Sequence, residues 1–289
     1  MPDPNPLVSV IMTAYNRAPF IAESIESVLA STYTNFELII VDDRSSDNTV
    51  EIARRYQLQD KRVKVYINEI NLGDYPNRNR AASLATGKYL KYLDSDDKIY
   101  KDGLAYCVAQ MEKYSGAAIG VYCPYDMDAK LSVCKPAESI IQDHFFKQHY
   151  LSIGPTGAIY NRHTFEKIGG FDVRFGVASD MFFNLKMVLA GPLVLLSYLF
   201  VFYREHDGQE KNNKFGYLKN GYLYLKEALE KLQLPLSSQQ VNYLYRKMQK
   251  RHSINIVRTC WQTKNFLMVR QVMRQTDFSY MKLFSSFFK

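Results

Sequence analysis

The first 95 residues alternate between short apolar runs and segments with apolar side chains at helical spacing. The apolar runs are rich in β-branched residues, and they predict buried strands at residues 7–12, 36–41, 63–67 and 89–93. The segments between them fit helices. This alternation predicts an α/β fold, with a mostly parallel central sheet flanked by helices.

The pattern changes twice further along the chain. Residues 116–210 are less regular, with short strands expected at 118–122 and 157–160 and an amphipathic helix at 181–190. Beyond Gly208 the pattern is long and helical. We therefore expect a body at 1–210, divided into halves of about 1–115 and 116–210, and a helical C-terminal region at 211–289.

Charge divides the chain at the same place. The net charge is +8, yet residues 1–210 hold 22 basic and 26 acidic residues, whereas residues 211–289 hold 15 basic and 3 acidic residues. Basic, amphipathic and aromatic helices are typical of an anionic membrane surface. The alternative is that these helices pack on the body with a solvated basic face, and the two roles are compatible.

Nucleic acid is the other polyanion that a basic region could bind. The sequence contains no helix-turn-helix, RRM or zinc-finger pattern, and acidic loops in the body would repel a polyanion. Nucleic acid is therefore not an expected partner.

The cysteines and apolar segments indicate a compartment. The four cysteines form no C-x-x-C pair, which favours a reducing environment over a disulfide scaffold. The start of the chain lacks a signal-peptide pattern, and the longest apolar run, residues 192–203, is too short to span a bilayer. We expect a cytoplasmic location, either free or peripheral on the inner face of the cell membrane.

Acidic residues follow two of the predicted strands. Parallel strands bring their carboxyl ends to one sheet edge, so the loops after residues 12, 41 and 93 should meet. Clustered carboxylates favour a hard divalent cation, Mn²⁺ or Mg²⁺, which can bridge to a diphosphate. The alternative is that these acids cap the helices that follow. No P-loop or G-x-G-x-x-G motif is present, which argues against those nucleotide-binding classes.

In order and spacing, five segments resemble the family 2 glycosyltransferases of the bacterial cell-surface polysaccharide type. The segments are residues 8–16, 40–47, 68–73, 78–79 and 93–97. The resemblance extends over roughly residues 7–205. It implies a GT-A fold, an inverting reaction and a nucleotide-sugar donor.

The resemblance assigns the donor site residue by residue. Thr13, Ala14 and Tyr15 match the loop that holds the nucleotide base. Asp43, with Asp42 beside it, matches the acid that accepts a hydrogen bond from the base, and uracil would fit best.

The phosphate and metal positions follow from the same resemblance. Arg78 matches an arginine near the nucleotide and its phosphates, although Asn77 stands where the family has alanine. Asp94, Asp96 and Asp97 match the D-x-D region, in which one carboxylate meets the ribose and one or two hold the metal.

The acceptor side carries a candidate general base. Residues 157–172 resemble the segment ahead of the family's catalytic aspartate, which makes Asp180 the base, although Ser179 replaces the usual glutamate. Asp180 can also serve as an N-cap for the helix that follows. Arg204 and His206 lie where the family carries residues that contact the diphosphate or acceptor.

Together these features imply an inverting transferase. It would move a sugar from a nucleoside diphosphate, with UDP expected, to a hydroxyl of a glycan or lipid-linked acceptor. Two other classes stay open: a nucleic-acid-binding protein that uses the basic region, and a catalytically inactive glycosyltransferase-like binding module.

Overall fold

The computed structural model describes residues 5–123, 132–206 and 213–286. Within these ranges the chain forms an eight-stranded sheet, a two-stranded sheet and flanking helices. The strands are β1 Val8–Ala14, β2 Phe36–Asp42, β3 Val63–Ile67, β4 Tyr89–Tyr92, β5 Lys98–Ile99, β6 Ile119–Tyr122, β7 Val133–Lys135, β8 Ala158–Asn161, β9 Leu193–Leu196 and β10 Val201–Phe202.

Helices alternate with these strands and then continue alone to the end of the described chain. They are α1 Ile21–Leu29, α2 Thr49–Gln59, α3 Asp74–Ser83, α4 Gly103–Lys113, α5 Ala137–Phe146, α6 Arg162–Lys167, α7 Ser179–Ala190, α8 Lys214–Lys231, α9 Ser238–Thr263, α10 Phe266–Gln275 and α11 Tyr280–Ser285. None of the helices in the described ranges is long and apolar enough to cross a membrane.

The order of the large sheet is β3-β2-β1-β4-β8-β6-β9-β7. Strands β1 to β4 are parallel, and β8 runs antiparallel between β4 and β6. The chain builds outward from β1 to β3 and then returns to place β4 on the other side of β1. This reversal leaves a crevice at the carboxyl ends of β1 and β4, where open α/β sheets bind ligands. The predicted α/β class is confirmed.

Alternation along the central strands explains why both sheet faces are covered. Ile11 and Ile39 belong to one hydrophobic cluster, whereas Val10, Leu38 and Ile40 belong to the other. Successive side chains of a strand point to opposite faces, so an unbroken apolar run must be buried on both sides. The resulting rigid sheet fixes the loops at its carboxyl edge.

The C-terminal helices share the core of the sheet domain. Leu218 and Tyr222 of α8, Ile256 of α9 and Val272 of α10 lie in the same hydrophobic cluster as Phe183 of α7. The described residues of this region, 213–286, therefore pack on the body, the alternative that the sequence left open. The predicted boundary between residues 210 and 211 lies within 207–212, outside the described residues.

Candidate active site

A cleft of about 430 Å³ opens at the carboxyl ends of β1, β2 and β4. Its walls come from the ends of these strands, from the first turns of α3 and from the residue after β10. The described lining residues are Thr13, Ala14, Tyr15, Arg17, Asp43, Asn71, Gly73, Asp74, Asn77, Arg78, Asp94, Ser95, Asp96, Asp97 and Tyr203. Its volume is within the range that small-molecule sites occupy.

The loops after β1 and β2 are locked together beside this cleft. Asn16 and Arg44 have left-handed backbones, with φ of 53° and 66°. The Asn16 amide donates to Ser45 Oγ at 2.8 Å, and Asn16 Oδ1 accepts from the Ser46 amide at 2.9 Å. Non-glycine residues keep such conformations only where their surroundings hold them, often at functional sites.

The two adjacent aspartates after β2 have different surroundings. Asp43 lines the cleft, and its carboxylate accepts from Asn68 Nδ2 and from the amides of Leu72 and Gly73, at 2.7 to 2.8 Å. The Asp42 carboxylate instead accepts from the Ser45 amide and hydroxyl, and Asp42 is not among the described lining residues. Of these two carboxylates, Asp43 is therefore the one that a ligand in the cleft can reach.

The end of β1 forms the floor and one lip of the cleft. The Thr13 carbonyl accepts from Ser95 Oγ at 2.9 Å, and the Ala14 carbonyl accepts from the Asp43 amide at 2.7 Å. These bonds tie β1 to the loops after β4 and β2. The Tyr15 ring is half exposed, so its face is free to pack against a planar ligand.

Three carboxylates after β4 converge on one point. One oxygen of each of Asp94, Asp96 and Asp97 lies within 4.8 Å of the others. Burial raises the pKa of Asp97 to about 7, and repulsion from Asp94 adds to the rise. A set of carboxylate oxygens fits Mn²⁺ or Mg²⁺, which prefer hard oxygen ligands.

The strand pair β5–β10 positions Arg204 so that it holds this acidic loop in place. It returns the chain so that the Arg204 amide donates to Asp97 Oδ1 and Arg204 Nε donates to the Asp96 carbonyl, both at 2.9 Å. The Arg204 guanidinium also bonds Glu23 at 2.9 Å. Arg204 therefore holds the acidic loop in place, a contact that the sequence did not suggest.

His206 lies against the same loop. Its Nε2 is 2.8 Å from Asp96 Oδ2, which Arg17 Nε also approaches to 3.2 Å, and its ring stacks on Phe20. The structure therefore brings His206 to the acidic cluster. Neither His206 nor Arg204 is among the described residues that line the cleft.

Arg78 of α3 connects the acidic cluster to Asp74 in the first turn of the same helix. Its guanidinium is buried and donates to Asp74 and to Asp94, both at 2.7 Å. The carboxylates raise the pKa of Arg78 well above its ordinary value, so the side chain stays charged. Arg78 also acts on Asp180, because its positive charge lowers the pKa of that carboxyl.

Asp180 lies in the first turn of α7, whose N-cap is Ala178, so the interpretation of Asp180 as an N-cap is wrong. It is buried, and its Oδ1 accepts from the Met181 amide at 2.8 Å. Burial raises the pKa of Asp180 to about 7, against the lowering effects of the Met181 amide and Arg78. Asp180 is not among the described residues that line the cleft.

Ser179 occupies the position at which the resemblance expects glutamate. Its hydroxyl is buried and donates to the Asp172 carbonyl at 2.8 Å. This bond fixes the start of α7 on the turn that precedes it. Ser179 therefore helps to orient Asp180 and presents no carboxylate of its own.

Several residues that build the site were not predicted from the sequence. Lys91 is fully buried under the acidic loop, and its Nζ donates to the carbonyls of Tyr92 at 2.5 Å and Thr156 at 2.6 Å. Thr156 Oγ1 in turn accepts from the Asp94 amide at 3.0 Å. This chain of bonds joins the acidic loop to the turn before β8, and burial lowers the pKa of Lys91 to about 8.

The profile of Glycosyl transferase family 2 matches residues 9–169. GlyG, a glycosyltransferase of Streptococcus pneumoniae, is 37% identical over 121 residues, which are 42% of this chain and 40% of GlyG. The chain thus spans about two fifths of this relative.

Solved structures share the fold. S. aureus TarS 1–349 in complex with UDP-GlcNAc aligns with a TM-score of 0.73 and 20% identity, over 93% of this chain and 79% of that one. The mannosyltransferase PcManGT of Pyrobaculum calidifontis, in complex with GDP-Man and Mn²⁺, aligns with a TM-score of 0.67 and 16% identity, over 100% and 88%. The profile match covers more than half of the chain, and the chain therefore belongs to glycosyltransferase family 2.

Proposed function

We propose that this protein transfers a sugar from a nucleoside diphosphate to an acceptor hydroxyl with inversion at the anomeric carbon. One observation carries the proposal: Arg78 bonds Asp94 of the three-carboxylate cluster, and its charge also acts on Asp180, a buried carboxylate with a pKa near neutrality. The carboxylate cluster suits a donor diphosphate, and Asp180 suits the acceptor hydroxyl.

The proposed mechanism is a single in-line displacement. Asp180 takes the proton from the acceptor hydroxyl as general base, while the oxygen attacks the anomeric carbon opposite the leaving diphosphate. Asp94, Asp96 and Asp97 would hold Mn²⁺ or Mg²⁺, which stabilises charge on the leaving group when bound. Arg78 stays charged between the two centres and adds to that stabilisation.

The nucleotide is proposed to be UDP. Asp43 supplies a carboxylate at the cleft that can accept from a base N–H, and Tyr15 offers its ring face. TarS and PcManGT were solved with UDP-GlcNAc and GDP-Man, respectively. The N–H group of uracil can donate a hydrogen bond to the Asp43 carboxylate. Asp42 is a weaker candidate for base contact because its carboxylate caps Ser45.

The pKa of Asp180 predicts how transfer depends on pH. Burial raises this pKa to about 7, and only the ionised carboxylate accepts a proton. Transfer should therefore fall about tenfold for each pH unit below about 7 and level off above it. The measurement is kcat/KM for transfer from about pH 5.5 to about pH 9. A profile that stays level down to the acid end would contradict Asp180 as the base.

An intact acidic cluster argues against an inactive binding module. Such a module has no need of a base with a pKa near 7 beside three cleft carboxylates. The acidic cleft also opposes nucleic acid, although the basic helices stay available to another anionic surface.

We further propose that α10 and α11 contact an anionic phospholipid surface. Large apolar side chains on both helices are exposed, among them Leu267, Met281 and Phe284. Arg270 and Arg274 line a groove together with Leu267 and the start of α11. Apolar side chains with adjacent cations suit the boundary between headgroups and acyl chains. Residues 287–289 of the aromatic, basic end lie outside the described residues.

Vesicle sedimentation tests the membrane contact. The double variant Met281→Ser, Phe284→Ser should bind vesicles containing phosphatidylglycerol at least about tenfold more weakly than the wild type, since both side chains are exposed. Leu58→Ser is the matched control, because Leu58 is an 88% exposed apolar residue on α2. Equal binding to purely zwitterionic vesicles, or an equal loss in the control, would reject this role.

A further inference from the structure

A second cavity lies on the acceptor side of the molecule. It has a volume of about 740 Å³ and is enclosed by α5, the loop after α5, the start of α7, α8 and α9. Met181 lines it, and Met181 directly follows the proposed base Asp180. No described residue lines both this cavity and the nucleotide cleft. We call it the α8–α9 cavity.

The wall of this cavity contains a buried imidazole without a hydrogen-bond partner. His252 of α9 is 4% exposed, stacks on Tyr222 with ring centroids 4.2 Å apart, and meets the edge of Phe278 at 4.9 Å. Its Nε2 has no partner among the described residues. Burial lowers the pKa of His252 to about 4, so the ring is neutral at physiological pH. Buried polar nitrogens are normally satisfied by protein, water or ligand, so this nitrogen is open to a partner from the cavity.

A second imidazole offers a defined donor. His144 of α5 is buried, and its Nδ1 accepts from the Leu151 amide at 3.2 Å. Burial lowers the pKa of His144 to about 3, so the ring carries one proton. With Nδ1 accepting, that proton lies on Nε2. The cavity wall therefore contains a neutral N–H donor.

The rim of the cavity is cationic. Lys214 of α8 and Arg251 and Arg258 of α9 line it, and no Asp or Glu is among its described lining residues. Arg251 and Arg258 are seven residues apart, which places them on one helix face, about 10 Å apart along the axis. The described residues provide no ion-pair partner for these three cations. An anion entering the cavity would meet unneutralised positive charge.

Aromatic side chains also line this cavity. They include Tyr217 and Tyr224 of α8. Burial raises the pKa of Tyr224 to about 12, and the charge of Asp180 adds to this rise. Aromatic faces suit the apolar faces of sugar rings.

We propose that the α8–α9 cavity binds an anionic group of the acceptor, a phosphate or a carboxylate, and so presents a neighbouring hydroxyl to Asp180. The acceptor role rests on the proposed transferase function, whereas anion binding itself does not. Arg251 and Arg258 attract the anion, and the imidazoles of His144 and His252 supply hydrogen bonds to it. The substrate class is therefore an acidic glycan or a phosphate-bearing acceptor.

Imidazole NMR of the full chain tests this site without turnover. Signals of His252 and His144 are followed during titration with sn-glycerol 3-phosphate or glucuronate, with glycerol and glucose as neutral controls. The anion that shifts these signals identifies phosphate or carboxylate as the group bound. Equal shifts with the neutral controls, or no shift with either anion, would overturn the proposal.

Charge variants show whether the rim is responsible. Arg251→Gln and Arg258→Gln should each weaken anion binding at least about tenfold, since charge-assisted hydrogen bonds are about twice as strong as neutral ones. Lys250→Gln is the control, because Lys250 neighbours Arg251 but is exposed on a different surface of α9. An equal effect of Lys250→Gln would overturn a specific site. Anion binding by a protein that transfers no sugar would reject only the transferase function.

Discussion

Replacing Asp180 with asparagine is expected to lower glycosyl transfer by about 100-fold or more while nucleotide binding stays intact. Asparagine cannot take a proton from the acceptor, yet its Oδ1 can still accept from the Met181 amide. The variant should bind UDP with the affinity of the wild type. Isothermal titration with UDP and Mn²⁺ measures binding, and product formation measures transfer.

The same substitution should stabilise the fold. Burial raises the pKa of Asp180 from an ordinary value near 3.8 to about 7. Between these values the folded state binds a proton that the unfolded state has released, so the free energy of unfolding falls as pH rises through this range. Above pH 7 the ionised carboxylate therefore destabilises the fold, by on the order of 1 kcal/mol or more. Asp180→Asn should melt higher than the wild type at pH 8, and the difference should disappear in acid.

Asp172→Asn serves as the control for this pair of effects. Asp172 lies on the turn before α7, and its carboxylate pairs with Arg174 near the surface. The pKa of Asp172 is lowered, chiefly by the Arg174 hydrogen bond, so its removal should slightly destabilise the fold at neutral pH. Transfer should change by no more than a few-fold. Wild-type transfer by Asp180→Asn would remove Asp180 from the mechanism, whatever the melting temperatures show.

Asp96→Asn is expected to lower metal-dependent release of nucleoside diphosphate by about 100-fold, since one charged oxygen ligand is lost. The amide retains a hydrogen-bonding group beside Arg17 and His206, so the loop should keep its place. Mn²⁺ affinity, followed by electron paramagnetic resonance, should fall with the rate. Asp102→Asn is the control, because the Asp102 carboxylate only accepts from Thr32 at an exposed position. Unchanged Mn²⁺ affinity in Asp96→Asn would show that the cluster does not hold the metal.

The cleft at the carboxyl ends of β1, β2 and β4 was predictable because its signals are local. Each strand is an apolar run that ends in polar residues, and parallel strands bring such ends together. Asp43, Arg78 and Asp94 therefore meet at one cleft. The i, i+4 pair of Asp74 and Arg78 was also visible as helical spacing, although Asp74 was not singled out.

Other site residues depend on contacts far apart in sequence. Thr156 bonds the Asp94 amide across 62 positions, and Arg204 bonds Asp96 and Asp97 across more than 100. Nothing in the residues around Lys91 indicates that its ammonium is buried. The antiparallel insertion of β8 between β4 and β6 brings Thr156 to the acidic loop, and the β5–β10 pair brings Arg204 there. No local pattern specifies either arrangement.

The C-terminal region is another part of the fold whose long-range contacts could not be predicted from the sequence. Its composition predicted basic helices, yet the α8–α9 cavity forms only where these helices meet α5 and α7. The sequence around His252 does not indicate its role, because Tyr222, its stacking partner, is 30 positions away. The α8–α9 cavity is therefore a product of tertiary packing, which the composition of the basic region does not predict.

The most direct test of the account is nucleoside diphosphate release from a panel of nucleotide sugars. Wild-type protein is incubated with each UDP- and GDP-sugar in Mn²⁺, in Mg²⁺ and with a chelator. The account predicts release from at least one UDP-sugar that requires the metal and is lost in Asp96→Asn. Release that persists in the chelator, or no release from any sugar in the panel with either metal, would contradict it.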